Sequence, residues 1–227
     1  YYDRIGNYMT NEKSYAIIGL GRFGMPLAKK LAEAGKEVIG IDRDEDRVKE
    51  LREYTEYAFV SQTLTKDVLE EVGVQNCDVV IVCIGERIEV SILTTLNVIN
   101  LGVSKVIAKA TNADQGEVLE KLGAQVVYPE RDMALRLAKK ILRENLVDYI
   151  SIGKDIEIIE FEISKQMIGK SIIGMRVREN FGLNIIAIHH DGITDTDIDP
   201  HYLLKAGDTI AVIGKENKVA QFVDSYS

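Results

Sequence analysis

Only two cysteines occur in 227 residues, Cys77 and Cys83, one on either side of a predicted buried strand. Two thiols so placed make neither a disulfide framework nor a metal-ligand set, and they suit the core of a protein kept in a reducing compartment. Long apolar runs are missing too. No stretch approaches the roughly 20 residues that cross a bilayer, and there is no secretory signal pattern. Basic charge is short: 28 Lys and Arg stand against 36 Asp and Glu, a net charge of −8. That balance argues against nucleic acid as a main partner, because phosphate-backbone binding needs a basic face. The remainder, 46% hydrophobic and 28% charged, is the composition of an ordinary soluble globular protein. Its length allows one large domain or two modest ones, and the cytoplasm is the expected compartment.

What is present is organised around residues 14–42. An apolar run, Tyr15 to Ile18, leads into Gly19-Leu-Gly21-Arg-Phe-Gly24. A helical pattern with Leu27, Leu31 and Ala34 follows and stops at Gly35, and a second apolar run, Val38 to Ile41, ends on Asp42. Strand, glycine turn, helix, strand and terminal acid compose a dinucleotide-binding unit. Gly19 allows the tight turn, Gly21 lets backbone approach phosphates, and Gly24 lets the helix lie close on the strand. The helix start offers unpaired N–H groups to an anion, and Asp42 stands where a carboxylate can accept ribose hydroxyls. The alternative is a glycine-rich turn in an unliganded α/β domain.

The rest of the first half repeats the strand–helix alternation. Residues 44–53 read as a helix, 57–60 as a third strand, and Thr65 as the N-cap of a helix carrying Val68, Leu69 and Val72. Val79 to Ile84 is a continuous apolar run, as expected of a central parallel strand buried on both faces. A helix over 88–101, a strand over 106–108, a helix over 114–122 and a strand over 125–128 follow. Six strands alternating with helices through short turns specify an open, Rossmann-like, doubly wound parallel sheet. Residues 131–149 read as a longer helix with Ala134, Leu137, Ala138, Ile141 and Leu142 on one face; Leu146, Val147 and Ile150 continue past a charged turn at Arg143-Glu144. Such a helix is expected to reach a partner subunit; the alternative is a sixth helix on its own sheet.

From Ser151 the pattern changes to near period two over Ile156–Ile163, the mark of a strand with one wet face. A short helical stretch through Val177, a strand over 183–188, a hairpin turn over His189–Gly192, a last strand over 209–213 and a helix over 216–222 make a small mixed α/β unit. The expected domains are 9–147 and 148–227, with residues 1–8 a leader or short native arm.

Both halves, in this order, resemble the cytosolic regulatory subunits of bacterial potassium transport systems of the Ktr and Trk type. Those subunits carry an RCK (regulator of potassium conductance) N-terminal domain and a smaller RCK C-terminal domain. The pieces that carry the likeness are AIIGLGRFG (16–24), VIGID (38–42), VIVCIGE (80–86), VIAKA (106–110), YPERDMA (128–134), MIGKSIIGMRVRENFGLNIIAI (167–188) and LLKAGDTIAVIGK (203–215). GLGRFG followed by PE-x-DM is most similar to the Ktr-type subunit. The resemblance implies a non-enzymatic gating-ring protein: homodimers assembling into an octameric ring on the inner face of the membrane, beneath an embedded potassium-translocating subunit. It further implies ATP favouring the active form and ADP the inactive one, with NAD(H) bound instead by some Trk-type relatives.

Candidate nucleotide-binding residues are Gly19, Gly21, Arg22, Phe23, Gly24, Asp42, Arg43, Ser61, Thr63, Gly85, Lys109 and Glu130. Arg22 offers a charge-assisted fork suited to a terminal phosphate; otherwise it is a solvated arginine. Lys109 ends a parallel strand, where ligands collect in such sheets. The resemblance makes it a phosphate contact and makes Glu130 a partner of the terminal phosphate that helps hold Mg²⁺ or another divalent cation; otherwise Glu130 is a helix-start acid. Ser61, Thr63 and Gly85 fall by topology where adenine should rest, and Arg43 could touch ribose or lie on the surface. For the second half the resemblance implies a cyclic di-AMP pocket formed by Arg178, Asn184 and Pro200. Asp191, Asp195, Asp197 and Asp199 would oppose such a dianion, and His189, His190 and His201 do not form a metal set, since His189 and His190 point to opposite strand faces. Competing readings are an NAD-dependent oxidoreductase, for which the second half offers no base or nucleophile, and a sensing module fused to something else.

Overall fold

The computed structural model describes residues 13–143 and 145–226. Residues 1–8 and Glu144 of the expected charged turn lie outside the described residues. The chain divides into two compact units, Tyr1–Asp132 and Met133–Ser227. The sequence placed the boundary at 147/148; the difference is the stretch that follows the sixth strand.

The first unit runs β1 (Ser14–Ile18), α1 (Gly24–Glu33), β2 (Glu37–Asp42), α2 (Glu45–Leu51), β3 (Ala58–Val60), α3 (Lys66–Glu71), β4 (Val79–Val82), α4 (Ile88–Asn100), β5 (Lys105–Lys109), α5 (Ala113–Leu122) and β6 (Gln125–Val127). The strands are all parallel in the order β3-β2-β1-β4-β5-β6. Strand parity sorts the core. Ala16 and Ile18 join Ile41, Val80, Val82, Val106 and Ala108 on one face, while Ile17 joins Val38, Val79 and Ile81 on the other. With both faces covered, all four residues of β4 are buried, which is why that run lacks alternation. The chain winds outward from β1 to β3, then crosses to β4 on the other side of β1. The reversal opens a crevice at the carboxyl ends of β1 and β4.

Helix starts obey local chemistry. Asp44 accepts from the Asp46 and Arg47 amides, Thr65 from Val68, and Asn112 from Gln115. The start of α1 is different: its cap residue is Phe23, which has no side-chain hydrogen bond to give.

Helix α6 (Pro129–Ile141) leads into the second unit, which continues with β7 (Leu146–Ile152), β8 (Ile156–Glu162), α7 (Val177–Phe181), β9 (Asn184–His190), β10 (Ile193–Asp195), β11 (Thr209–Lys215) and α8 (Glu216–Tyr226). Its antiparallel sheet has the order β10-β9-β11-β8-β7. The helix expected over 131–149 therefore stops at Ile141, and Leu146, Val147 and Ile150 belong to a strand. Tyr149, Ile150 and Ile152 favour the pleated state, and β8 has an open edge that β7 pairs along its length. The helical stretch expected before Val177 begins there instead, after Arg176 in the left-handed region (φ 48°). The turn expected over His189–Gly192 contracts to Asp191-Gly192, both at positive φ, as a two-residue hairpin requires, and β10 is an addition. One sheet face is covered by α7 and α8 through Phe161, Phe181, Phe222 and Tyr226, packed edge-on or tilted. Lys139 on α6 pairs with the buried Glu157 and with Glu216, 3.5 Å away, and its ammonium lies 4.3 Å over the Tyr149 ring.

Candidate nucleotide site

The glycine turn is built as its spacing requires. Gly19 has φ +100°, and a Cβ there would meet the Cys83 carbonyl carbon at 3.1 Å. A Cβ on Gly24 would run into the Gly19 carbonyl oxygen, so the first turn of α1 lies against the end of β1 only because both are bare. Gly21 differs: the nearest atom to a Cβ there is the tip of Arg47, 3.9 Å away. No neighbouring backbone demands a glycine at this point, so its bareness leaves a cradle open to a ligand. Beneath the turn Cys83 is free, and burial pushes its thiol up to about 12; Cys77, also buried, is pushed up to about 11.

Asp42 is held at the end of β2. Its carboxylate accepts the Leu20 amide at 2.5 Å and the Asp44 amide at 2.9 Å, and it is only 8% exposed. Each oxygen thus takes one backbone N–H and keeps accepting capacity for another donor. The carboxylate is fixed before any ligand arrives.

Across the crevice a second, charged cluster forms at the ends of β5 and β6. Lys109 is 9% exposed, and its Nζ donates to Glu130 Oε1 at 2.5 Å. That bond, with Arg22 adding positive charge nearby, holds the Glu130 carboxyl below the usual glutamate range. Arg22, Lys109 and Glu130 are thereby brought together. Gly85 makes room, since a Cβ there would stand 3.4 Å from Lys109 Nζ.

Other expected residues take quieter positions. Phe23 packs against the core beside α1. Arg43 lies 3.8 Å from Glu86 at the surface. The Ser61 hydroxyl donates to the Thr63 carbonyl at 2.6 Å, bracing the turn after β3. In the second unit Arg178, Asn184 and Pro200 are all exposed, and the Pro200 carbonyl accepts the Ile173 amide at 2.9 Å. His189 contacts Thr194, whereas His190 faces the buried Asp208, so the two side chains diverge. Among the described residues no three of His, Cys, Asp and Glu are grouped to hold a metal ion.

Two residues escaped the sequence reading. Gln115 is buried and bonds the Thr111 amide, Ser91 and, at 3.5 Å, the Lys109 carbonyl, so it steadies the backbone that aims Lys109. Its signal was the Asn112-x-x-Gln115 capping pattern. Arg47, three residues into α2, reaches back toward Asp42 and Gly21; only its helical spacing from Asp44 hinted at this.

The glycine cradle, the fixed carboxylate and the uncapped helix start fit the diphosphate and ribose of a nucleotide, and the Lys109–Glu130–Arg22 cluster adds two cations and a carboxylate. A single carboxylate is what a phosphate-bound Mg²⁺ commonly takes from protein, and Glu130 could supply it.

The TrkA-N domain family matches residues 15–129 and the TrkA-C domain family residues 156–226. The chain is 36% identical to the Ktr system potassium uptake protein C of Bacillus subtilis (strain 168), over 93% of this chain and 96% of that protein. It is 33% identical to Ktr system potassium uptake protein A of the same organism, over 92% and 95%. Among solved structures, the GsuK RCK domain superposes with a TM-score of 0.51 at 23% identity, covering 93% of this chain and 46% of that one, a likeness of fold.

Proposed function

Because the chain belongs to the TrkA family of potassium-uptake proteins, carrying its N-terminal and C-terminal domains in order, we propose that it is the nucleotide-sensing regulatory subunit of a potassium transporter. Potassium uptake comes from the relatives' names; the sensing role rests on one observation in this chain. The fixed Asp42 and the open cradle at Gly21 share one sheet edge with Lys109, Glu130 and Arg22. Such an edge can read how many phosphates a nucleotide carries. ATP and ADP are its ligands, with a divalent cation offsetting the repulsion between Glu130 and a terminal phosphate.

In this reading the protein is not an enzyme. It works in the cytoplasm against a membrane-embedded potassium-translocating subunit, as homodimers assembled into an octameric gating ring. Nucleotides act by differential affinity for two ring states; equal affinity would shift nothing. Cyclic di-AMP, at Arg178, Asn184 and Pro200, is a second input. Among the described residues no helix is long and apolar enough to cross a membrane.

Calorimetry with ATP, ADP, NADH and cyclic di-AMP, with and without Mg²⁺, tests the assignment. ATP and ADP should bind, ATP more tightly with Mg²⁺, and Arg22→Ala should narrow the difference between them. Binding of NADH with none of ATP or ADP would replace the assignment with an NAD(H) sensor.

A further inference from the structure

Arg47 stands beside the first half of the candidate nucleotide site, between Asp42 and Gly21. Its Nη1 is 3.7 Å from Asp42 Oδ2, its Nε is 3.4 Å from Asp44 Oδ2, and the same Nη1 lies 3.9 Å from where a Cβ on Gly21 would be. The side chain is about half exposed (49%). Both carboxylate distances exceed the roughly 2.7–2.9 Å of a charge-assisted hydrogen bond, so the guanidinium is steered by two acids without being hydrogen-bonded to either. Its forked donors stay available for a planar, bidentate acceptor. Meanwhile Asp42 already takes the Leu20 and Asp44 amides, so its place does not depend on Arg47.

We propose that Arg47 is a phosphate-binding residue of this site, closing the Gly21 cradle from the α2 side and contacting the diphosphate of a bound nucleotide. This rests on the nucleotide assignment above. Gly21 is the point where the glycine turn admits a diphosphate, and the nearest side-chain atom to that bare position is a cationic fork. A ligand entering the cradle replaces weak, solvated pairing to Asp42 and Asp44 with direct charge-assisted bonds. The guanidinium also offsets the repulsion that the Asp42 carboxylate would otherwise exert on phosphates.

The test titrates the full chain and its Arg47→Met and Arg47→Lys variants with adenosine, AMP, ADP and ATP at one ionic strength. Loss of charged hydrogen bonds predicts that Arg47→Met weakens ADP and ATP about ten- to a hundredfold while adenosine stays within about twofold. Arg47→Lys should fall between, keeping the charge without the fork. Thermal unfolding checks that each variant is folded; should Arg47→Met fail, the adenosine-to-ADP ratio of Arg47→Lys decides. Unchanged ADP and ATP affinity overturns the proposal. So does an equal loss for adenosine, the outcome if Arg47 only steadies Asp42. If the wild-type chain binds none of the four ligands, the nucleotide assignment and this inference fall together; failure in the variants alone removes only this inference.

Discussion

Lys109 is a cation almost fully withdrawn from water, tolerable only because Glu130 neutralises it. Glu130 itself is 68% exposed, so the pair is screened and contributes little to stability. Its sign is still fixed. A carboxyl depressed in the folded state stabilises above its unfolded pKa of about 4.3, and that contribution is lost as pH falls through the lower folded value. We expect the Glu130 carboxyl carbon, followed by NMR, to titrate below about 4.3 and to move upward in Lys109→Gln. An unmoved midpoint would mean that Lys109 is not the cause. At this scale Gly19, Gly24 and Asp42 were legible because each obeys a local backbone demand within one βαβ unit. Arg47 and Gln115 were not, since their roles depend on which strand ends the fold brings side by side.

Among the elements, α6 is the one whose surface is least explained by its own unit. Met133, Leu137 and Ile141 recur at helical spacing and are 61%, 56% and 70% exposed. Exposed apolar stripes of this kind mark association surfaces, in keeping with the partner role expected of this stretch. Replacing Leu137 and Ile141 together by Glu should lower the mass measured by light scattering, with the unfolding temperature little changed; an unaltered mass would exclude α6 from the assembly. The sequence overextended this helix because Leu146 and Val147 continue an apolar count that suits either period. The choice of strand was made by the free edge of β8, a non-local partner that periodicity cannot register. Parallel strands β1 to β5 were easier, because each is followed by a helix that buries residues against the sheet.

For the whole molecule, the two units differ in strand grammar, the first built on a parallel sheet and the second on an antiparallel one. The change from continuous apolar runs to period two revealed both, while the strand order with its β1/β4 reversal is seen only in the fold. If nucleotide identity sets the shape of an assembly, small-angle scattering of the assembled protein should differ between ATP and ADP; superimposable profiles would remove that idea. Lys139 has a mechanical corollary. Anchored at once to Glu157, Glu216 and the Tyr149 ring, it keys the last turn of α6 into the antiparallel sheet. Any shift of that last turn would therefore have to break these contacts or carry β7, β8 and the start of α8 along with it.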